Sequence, residues 1–193
     1  MEDAGRVEAA MAAHPRERFL PRGLRAQAGV DGPLPIGHGQ TNSQPRTVRA
    51  MLEMLDVRAG HRVLDVGSGS GWTTALLGEL VGPLGSVLGV ERVPDLVLSG
   101  GRAVARCGMP WARVRAAVPG TLGAPDEAPF DRVLVSAMAH RIPHGLVCQL
   151  EPRGVLVVPV DGRMLRVARD DDAPDGCRVT QHGYYRFVPL LTD

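Results

Sequence analysis

Apolar runs that suit buried strands alternate along this chain with stretches of helical periodicity. Five runs predict strands, at residues 62–66, 86–91, 112–116, 131–136 and 154–160. Two of the intervening segments predict helices, at residues 72–80 and 94–107. Because strands that alternate with helices pair in parallel and are covered on both faces, the pattern indicates an α/β fold.

The two ends of the chain depart from this alternation. Apolar residues among charges predict a helix at residues 5–20. Residues 21–39 are rich in glycine and proline, so we expect an ordered loop there that packs on the domain. Pro45 then suits the first turn of a helix. Residues 163–169 and 178–185 predict a hairpin, and its acidic turn is solvated rather than a metal site because it lacks the calcium-loop spacing.

The composition suits a single cytoplasmic domain. For 193 residues we expect one domain, with N-terminal helices and a loop at residues 1–45 and the core at residues 46–193. A net charge of +1 gives no electrostatic reason to expect a nucleic acid or a membrane partner, and residues 1–3 do not begin a signal peptide. The three cysteines are odd in number and widely spaced, so we expect reduced thiols in a cytoplasmic protein. We also expect a monomer.

A glycine-rich loop between a predicted strand and a predicted helix carries the strongest chemical signal. Gly67, Gly69 and Gly71 lead into a helix N-terminus, where free N–H groups favour a carboxylate or a phosphate. Glu91 ends the next predicted strand, 20 residues after Gly71, and its carboxylate can accept both hydroxyls of a ribose. Together these features predict a nucleoside cofactor.

The spacing of the loop separates two kinds of nucleoside cofactor. Its glycines follow Gly-x-Gly-x-Gly rather than the Gly-x-Gly-x-x-Gly of dinucleotide binders. Asp65 precedes the first glycine by two residues, and a carboxylate there attracts a sulfonium and an ammonium but repels a pyrophosphate. We therefore expect S-adenosylmethionine rather than NAD.

A motif before the core connects the chain to a known family. Residues 33–45 read PLPIGHGQTNSQP and resemble the PLPIGHGQTISQP motif of the protein-L-isoaspartate O-methyltransferases at twelve of thirteen positions. Further matching pieces are RFLP, ERVP, APFD and FVPL, at residues 18–21, 91–94, 128–131 and 187–190. The resemblance implies a class I S-adenosylmethionine-dependent methyltransferase: a Rossmann-like α/β domain with a mostly parallel seven-stranded sheet and helices on both faces.

The same resemblance implies roles for individual residues. Ser43 is the implied active-site hydroxyl. The implied cofactor contacts are Thr41, Asn42, Ser43, Gln44, Asp65, Gly67, Ser68, Gly69, Gly71 and Glu91. The implied peptide contacts are Pro35, Ile36, Gly37, Ala137, Met138 and Ala139. The implied activity is methyl transfer from S-adenosylmethionine to the free carboxylate of an isoaspartyl or aspartyl residue in a protein or peptide.

The chemistry of these residues is compatible with carboxyl methylation. A carboxylate is already ionised near neutral pH, so the enzyme needs no general base and acts by aligning the reactants and excluding water. A serine hydroxyl can orient the carboxylate as a hydrogen-bond donor. For Ser43, the alternative is an N-cap of the helix that begins at Pro45, and the two roles can coexist.

Three histidines are candidates for other roles. His38 has no partner at ligand spacing, so we expect it to hold its loop by hydrogen bonds. His140 and His144 are spaced for a metal on a helix, but Pro143 opposes a regular helix there. Contact with the substrate or a plain surface position are the alternatives for this pair, and we expect no metal.

Two departures from the family pattern bear on function. The family has Gly-Asp-Gly after its third strand, with the acid facing the adenine amino group, whereas residues 114–123 contain no acid. Asp126 or Glu127 would replace that acid only if the loop folds back. Asn42 stands where the family has Ile, which makes the surroundings of Ser43 more polar and could alter the preferred peptide.

Three functions stay open at this point. The first is repair methylation of isoaspartyl residues in damaged proteins. The second is a dedicated enzyme that methylates one aspartate of a partner peptide and so forms a succinimide. The third is a non-catalytic relative that binds a partner or a nucleoside. Cofactor binding separates the third from the others, and a preference for isoaspartyl over aspartyl peptides separates the first two.

Overall fold

The computed structural model describes residues 2–170, 172–173 and 176–191 of the chain. The α-helices are Glu2–Ala13 (α1), Pro45–Leu55 (α2), Trp72–Val81 (α3), Pro94–Ala105 (α4) and His144–Val147 (α5). The strands are Leu34–Gly37 (β1), Gln40–Asn42 (β2), Arg62–Val66 (β3), Ser86–Glu91 (β4), Ala112–Ala116 (β5), Phe130–Val135 (β6), Leu150–Val160 (β7), Arg163–Arg169 (β8) and Cys177–Tyr184 (β9). Short 3-10 helices occupy Arg16–Phe19, Arg22–Gln27 and Pro125–Glu127.

Strands β3 to β9 form one mostly parallel sheet. Their order is β5-β4-β3-β6-β7-β8-β9, so β3 lies between the two parallel halves. Parallel pairing joins β5 through β7, and β8 and β9 add an antiparallel edge. Helices connect the parallel strands as the alternating pattern predicts, so the expected α/β class and the seven-stranded sheet are confirmed.

The core has two layers because successive side chains of a strand point to opposite faces of the sheet. On β3, Val63 packs with α1 to α4 on one face, whereas Leu64 packs on the other face with α5 and the segment before β6. Both side chains are buried, which agrees with strands that are covered on both sides. The continuous apolar character of the predicted strands therefore has a direct structural cause.

The N-terminal predictions need two corrections. The predicted helix at residues 5–20 ends at Ala13, because Pro15 lacks a backbone N–H and disfavours helical geometry at the residue before it. A 3-10 turn follows instead. The predicted loop at residues 21–39 contains another 3-10 helix and the strand β1, which pairs antiparallel with β2 so that Leu34 opposes Asn42. The glycines and prolines of this segment obscure the strand pattern, so the sequence did not predict this short hairpin.

The remaining predicted elements form with small shifts of their ends. The strand predicted at residues 154–160 begins earlier, at Leu150, and the hairpin near the end of the chain is β8 and β9. Residues 171, 174 and 175 of its acidic turn lie outside the described residues. Within the described part of the chain, no helix is both long enough and apolar enough to cross a bilayer.

Candidate active site

A cleft opens at the edge of the sheet where β3, β4 and β6 end. In parallel sheets, ligands usually bind at the carboxyl ends of the strands, at the point where the strand order reverses. Its space not filled by atoms is about 980 Å³, the open mouth included, which suits a nucleoside-sized ligand. The β1–β2 hairpin, the glycine loop, the ends of β4 and β5 and the C-terminal segment form its walls.

The glycine loop forms the floor of this cleft. The backbone N–H groups of Gly67 and Ser68 both donate to the carbonyl of Val90, at 2.9 and 3.2 Å, which ties the loop to the end of β4. Gly71 has a positive φ of 82°, and a Cβ there would lie 2.8 Å from the carbonyl oxygen of Gly100 on α4. Glycine is therefore required both for the turn and for the close approach of α4.

The glycine loop leads directly into α3, whose N-terminus lies at the cleft. The first backbone N–H groups of a helix have no intrahelical acceptor, and the helix dipole places positive potential there. Trp72 and Thr73 form the first turn of α3 and line the cleft. This end of the cleft fits a carboxylate such as that of a methionine moiety.

Glu91 is the acidic group of the cleft wall. It is only 6% exposed at the end of β4, and its two carboxylate oxygens accept the backbone N–H groups of Gly69 and Val93, each at 2.9 Å. Each oxygen keeps a second lone pair, which can accept a ribose hydroxyl. The Ser68 hydroxyl is buried in the same wall and has no hydrogen-bond partner among the described residues. These groups fit a nucleoside cofactor.

Asp65 lies beneath the cleft rather than in its wall. Its carboxylate is fully buried and accepts hydrogen bonds from the hydroxyls of Thr73 and Thr74, both at 2.7 Å. Burial raises the pKa of Asp65 to about 6, the two threonine hydroxyls oppose that rise, and the charge of Glu91 adds to it. A direct contact with the cofactor stays a prediction, and in this structure the carboxylate orients the first turn of α3.

Ser43 lies at the mouth of the cleft, together with Thr41 and Asn42. The N-cap of α2 is Gln44, without a side-chain capping bond. The alternative role of Ser43 as the N-cap is therefore wrong. Within the described residues the Ser43 hydroxyl has no hydrogen-bond partner, so it is available to a ligand. Gln44 lies outside this cleft and lines a neighbouring one.

Asn42 uses both of its side-chain polar atoms inside the protein. Its carbonyl oxygen accepts a hydrogen bond from Arg16 at 2.7 Å, and its amide donates to the hydroxyl of Ser70 in the glycine loop at 2.9 Å. The side chain is 3% exposed. The polar side chain that stands here in place of the family's Ile thus links the β1–β2 hairpin to the glycine loop.

The residues implied as peptide contacts divide into two groups. Ile36 and Ala137 line the cleft, whereas Pro35 and Gly37 face solvent on the hairpin. Met138 and Ala139 use their backbone in irregular pairing with neighbouring segments, and neither lines the cleft. A peptide contact stays a prediction for all six residues.

The C-terminal segment is a wall of the cleft that sequence reasoning missed. The N–H of Met138 donates to the carbonyl of Val188, and the N–H of Leu190 donates back to the carbonyl of Met138, both at 2.7 Å. This pairing places residues 188–191 against the cleft. The FVPL piece was visible in the sequence, but only the tertiary pairing shows that it encloses the site.

The loop after β5 forms an uncharged end of the cleft. Ala117, Thr121, Leu122 and Gly123 line it. The condition under which Asp126 or Glu127 would replace the missing acid is not met, because neither residue lines the cleft. Both carboxylates bind arginines of β5 instead; Asp126, for example, accepts two hydrogen bonds from Arg115, at 2.7 and 2.8 Å.

The histidines occupy positions outside the cleft. His38 forms part of the hairpin turn, and its Nε2 lies 3.1 Å from the carboxylate of Asp95 on α4. This contact agrees with the expected role of holding the loop. His140 and His144 are exposed, and α5 begins only at His144, so the two do not share a helix. The described residues contain no group of three side chains arranged for a metal.

The family model and the curated relatives name one family. A model of the protein-L-isoaspartate(D-aspartate) O-methyltransferase (PCMT) family matches residues 2–193. The chain is similar to the protein-L-isoaspartate O-methyltransferase of Methanopyrus kandleri, with 44% identity over 190 residues that cover 97% of this chain and 84% of that protein. It is similar to the enzyme of the same name from Methanothrix thermoacetophila, with 44% identity over 193 residues, covering 96% and 88%.

Solved structures share the fold. A protein-L-isoaspartate O-methyltransferase superposes with a TM-score of 0.86 at 23% identity, over 96% of this chain and 61% of that chain. A beta-aspartate methyltransferase from Plasmodium falciparum, in complex with S-adenosyl-L-homocysteine, superposes with a TM-score of 0.82 at 24% identity, over 97% and 91%. The sheet and the cleft at its edge therefore belong to a fold that methyltransferases use.

Proposed function

Because the chain belongs to the protein-L-isoaspartate(D-aspartate) O-methyltransferase family, we propose that it methylates the free carboxylate of isoaspartyl residues in proteins or peptides with S-adenosylmethionine. One observation supports this function above the others: the Ser43 hydroxyl lies where the cofactor cleft meets a neighbouring open cleft. A peptide in the open cleft can thus present a carboxylate to a ligand held in the first one.

The walls of the first cleft supply the groups that S-adenosylmethionine needs. The carboxylate of Glu91 would accept hydrogen bonds from the ribose hydroxyls, and the first-turn N–H groups of α3 would donate hydrogen bonds to the methionine carboxylate. The buried Ser68 hydroxyl is available to the same ligand. S-adenosylmethionine, when bound, supplies an electrophilic methyl group on a sulfonium centre.

Ser43 acts on the acceptor. Its hydroxyl would donate a hydrogen bond to one oxygen of the substrate carboxylate and leave the other oxygen free to act as the nucleophile. The carboxylate is ionised at neutral pH, because its ordinary pKa is about 4, so no base is required. Apolar side chains such as Ile36 and Val188 line the site and exclude water from the reacting atoms. Alignment of this kind can supply most of the acceleration of a two-reactant step.

The cellular setting forms part of the same proposal. Cys107, Cys148 and Cys177 are free thiols, which suits a reducing compartment. We therefore assign the enzyme to the cytoplasm, where it would act on protein or peptide substrates.

A pair of isomeric peptides tests the function. Purified protein is incubated with S-adenosylmethionine and either an isoaspartyl peptide or its aspartyl isomer, and methyl esters are measured by mass spectrometry. Methylation of the isoaspartyl peptide alone is the expected result. Methylation of the aspartyl isomer alone would favour a dedicated peptide-modifying enzyme. Calorimetry with S-adenosylhomocysteine runs in parallel, and the absence of binding at millimolar ligand would favour a non-catalytic relative.

A further inference from the structure

A second cleft opens beside the cofactor cleft and shares part of its wall. The residues that line both are Thr41, Ser43, Ser136 and Val188. The second cleft is the larger, with about 1240 Å³ of space not filled by atoms, open solvent included. Since Ser43 lies at the junction, a chain segment in the second cleft passes the Ser43 hydroxyl.

The walls of the second cleft are basic and aromatic. One wall is the start of α2 with Arg46, and another is the end of β9 and the segment after it, with Tyr184, Tyr185, Arg186 and Phe187. None of the described residues that line the cleft is acidic. Its lining therefore presents positive charge to any ligand that enters.

The two arginines differ in how far their charge is balanced. The Arg46 guanidinium lies 3.5 Å from the carboxylate of Asp31, which also accepts the backbone N–H of Arg46. Arg186 is exposed and forms no ion pair with a described residue. The uncompensated positive charge of the cleft therefore centres on Arg186.

Both arginines lie close in sequence to residues at the junction of the two clefts. Arg186 is two residues from Val188 and Arg46 is three residues from Ser43, and both of those partners lie at the junction of the clefts. An extended peptide advances roughly 3.3 Å per residue. A substrate whose isoaspartyl carboxylate reaches Ser43 thus brings its next one or two residues beside the arginines.

We propose that the second cleft binds the residues that flank the methylated one and selects substrates with an acidic side chain one or two positions away. Arg186 is the main determinant of this selection, and Arg46 contributes less because Asp31 shares its charge. The inference rests on the proposed function, since it assigns a preference among isoaspartyl substrates.

Isoaspartyl peptides that differ at one flanking position test the inference. Glu, Gln or Lys is placed in turn at each of the two positions on either side, and KM and kcat are measured, with peptide binding followed by fluorescence anisotropy in the presence of S-adenosylhomocysteine. At one or more positions, the Glu peptide should have a KM at least about threefold below that of the Lys peptide, the scale of an exposed ion pair. Added salt should narrow the difference.

Charge variants identify the residue responsible. Arg186→Glu should reverse the order of the Glu and Lys peptides, and Arg186→Gln should remove most of the preference. The matched control is Arg106→Glu, an exposed arginine just after the far end of α4, at the opposite edge of the sheet, which should leave the preference intact. Affinity for S-adenosylhomocysteine should stay unchanged in all three variants, which shows that they fold.

The possible failures are distinguishable. If no isoaspartyl peptide is methylated, the proposed function fails and the inference fails with it. If all peptides are methylated with equal KM, only the selection of flanking residues is overturned. If the Arg186 variants raise the KM of every peptide by the same factor, Arg186 contacts the reacting carboxylate itself and the inference is again overturned.

Discussion

The Nε of Arg16 donates a hydrogen bond to the side-chain oxygen of Asn42 at 2.7 Å, in a region where both residues are buried. The same guanidinium donates to the backbone carbonyls of Asn42 and Ser43, both at 3.0 Å, and to those of Val30 and Gly32, at 2.9 and 2.7 Å. One buried cation therefore joins the segment before the hairpin to the segment that carries Ser43.

Asn42 extends this network to the other side of the cleft. Its amide reaches the hydroxyl of Ser70 in the glycine loop, and the Arg16 guanidinium lies over the Trp72 ring, 5.7 Å from its centroid. Burial lowers the pKa of the Arg16 guanidinium, and Asp31 opposes that shift. The group is costly to bury and depends on its acceptors.

Asn42→Ala should lower the stability of the protein. The substitution removes an acceptor from the buried Arg16 and a donor from Ser70, and a hydrogen bond to a charged group is worth about 1.5–3 kcal/mol. Urea denaturation should show a free energy of unfolding lower by about that amount. The control is Gln44→Ala, because the side-chain bonds of Gln44 to Asp31 are exposed and its loss should stay within about 0.5 kcal/mol. Equal effects of the two variants would mean that the buried network contributes little.

Glu91→Ala should weaken binding of S-adenosylhomocysteine by about 1.5–3 kcal/mol, because a charged acceptor for the ribose is lost. Calorimetry measures the change. Glu91 also holds the N–H of Gly69, so a displaced loop could imitate this result. The 2′-deoxy analogue separates the two causes: the wild type should bind it more weakly than the parent ligand, whereas Glu91→Ala should bind both equally. A variant that still discriminates would place the ribose elsewhere.

Ser43→Ala should reduce methyl transfer by tenfold or more, the scale of one well-placed hydrogen-bond donor. Gln44 is the N-cap of α2, so the substitution should leave the melting temperature nearly unchanged. The affinity for S-adenosylhomocysteine should also change little, because Glu91 and the glycine loop remain. Turnover with an isoaspartyl peptide is measured on the same preparation. Normal turnover by this variant would exclude Ser43 as the orienting donor.

The parts of the fold that follow local patterns were predictable from the sequence. Apolar runs identified the parallel strands, since burial on both faces leaves a continuous signal. The glycine loop and Glu91 were also recognisable, because a sharp turn, a helix start and a spaced acid lie close together in sequence.

Other features of the site depend on contacts between distant segments. Nothing local distinguishes Arg16 from a surface arginine, yet it reaches Asn42, 26 residues away. The segment at residues 188–191 reaches the cleft only through its pairing with Met138. The depth of Asp65 follows from how α3 packs over β3, which the spacing of the motif does not encode.

The burial of Asp65 beneath α3 makes the stability of the protein depend on pH. Burial raises the pKa of Asp65 from 3.8 to about 6, so the folded state binds this proton more tightly than the unfolded state does. The stabilisation that the folded state gains by binding this proton is therefore fully present below pH 4 and is lost as the pH rises through 6. A gap of that size is worth about 3 kcal/mol.

Asp65→Asn isolates the contribution of Asp65 to this pH dependence, because the neutral amide cannot titrate and the other titratable groups are common to both proteins. The free energy of unfolding of the variant minus that of the wild type should rise by up to about 3 kcal/mol between pH 4 and pH 7.5. Urea denaturation at several pH values measures it. Asp126→Asn serves as the opposite control, since the hydrogen bond from Arg115 lowers the pKa of Asp126, so the same difference should fall as the pH rises toward about 4 and change little above it. A flat profile for Asp65→Asn would mean that its carboxylate is solvated rather than buried beneath α3.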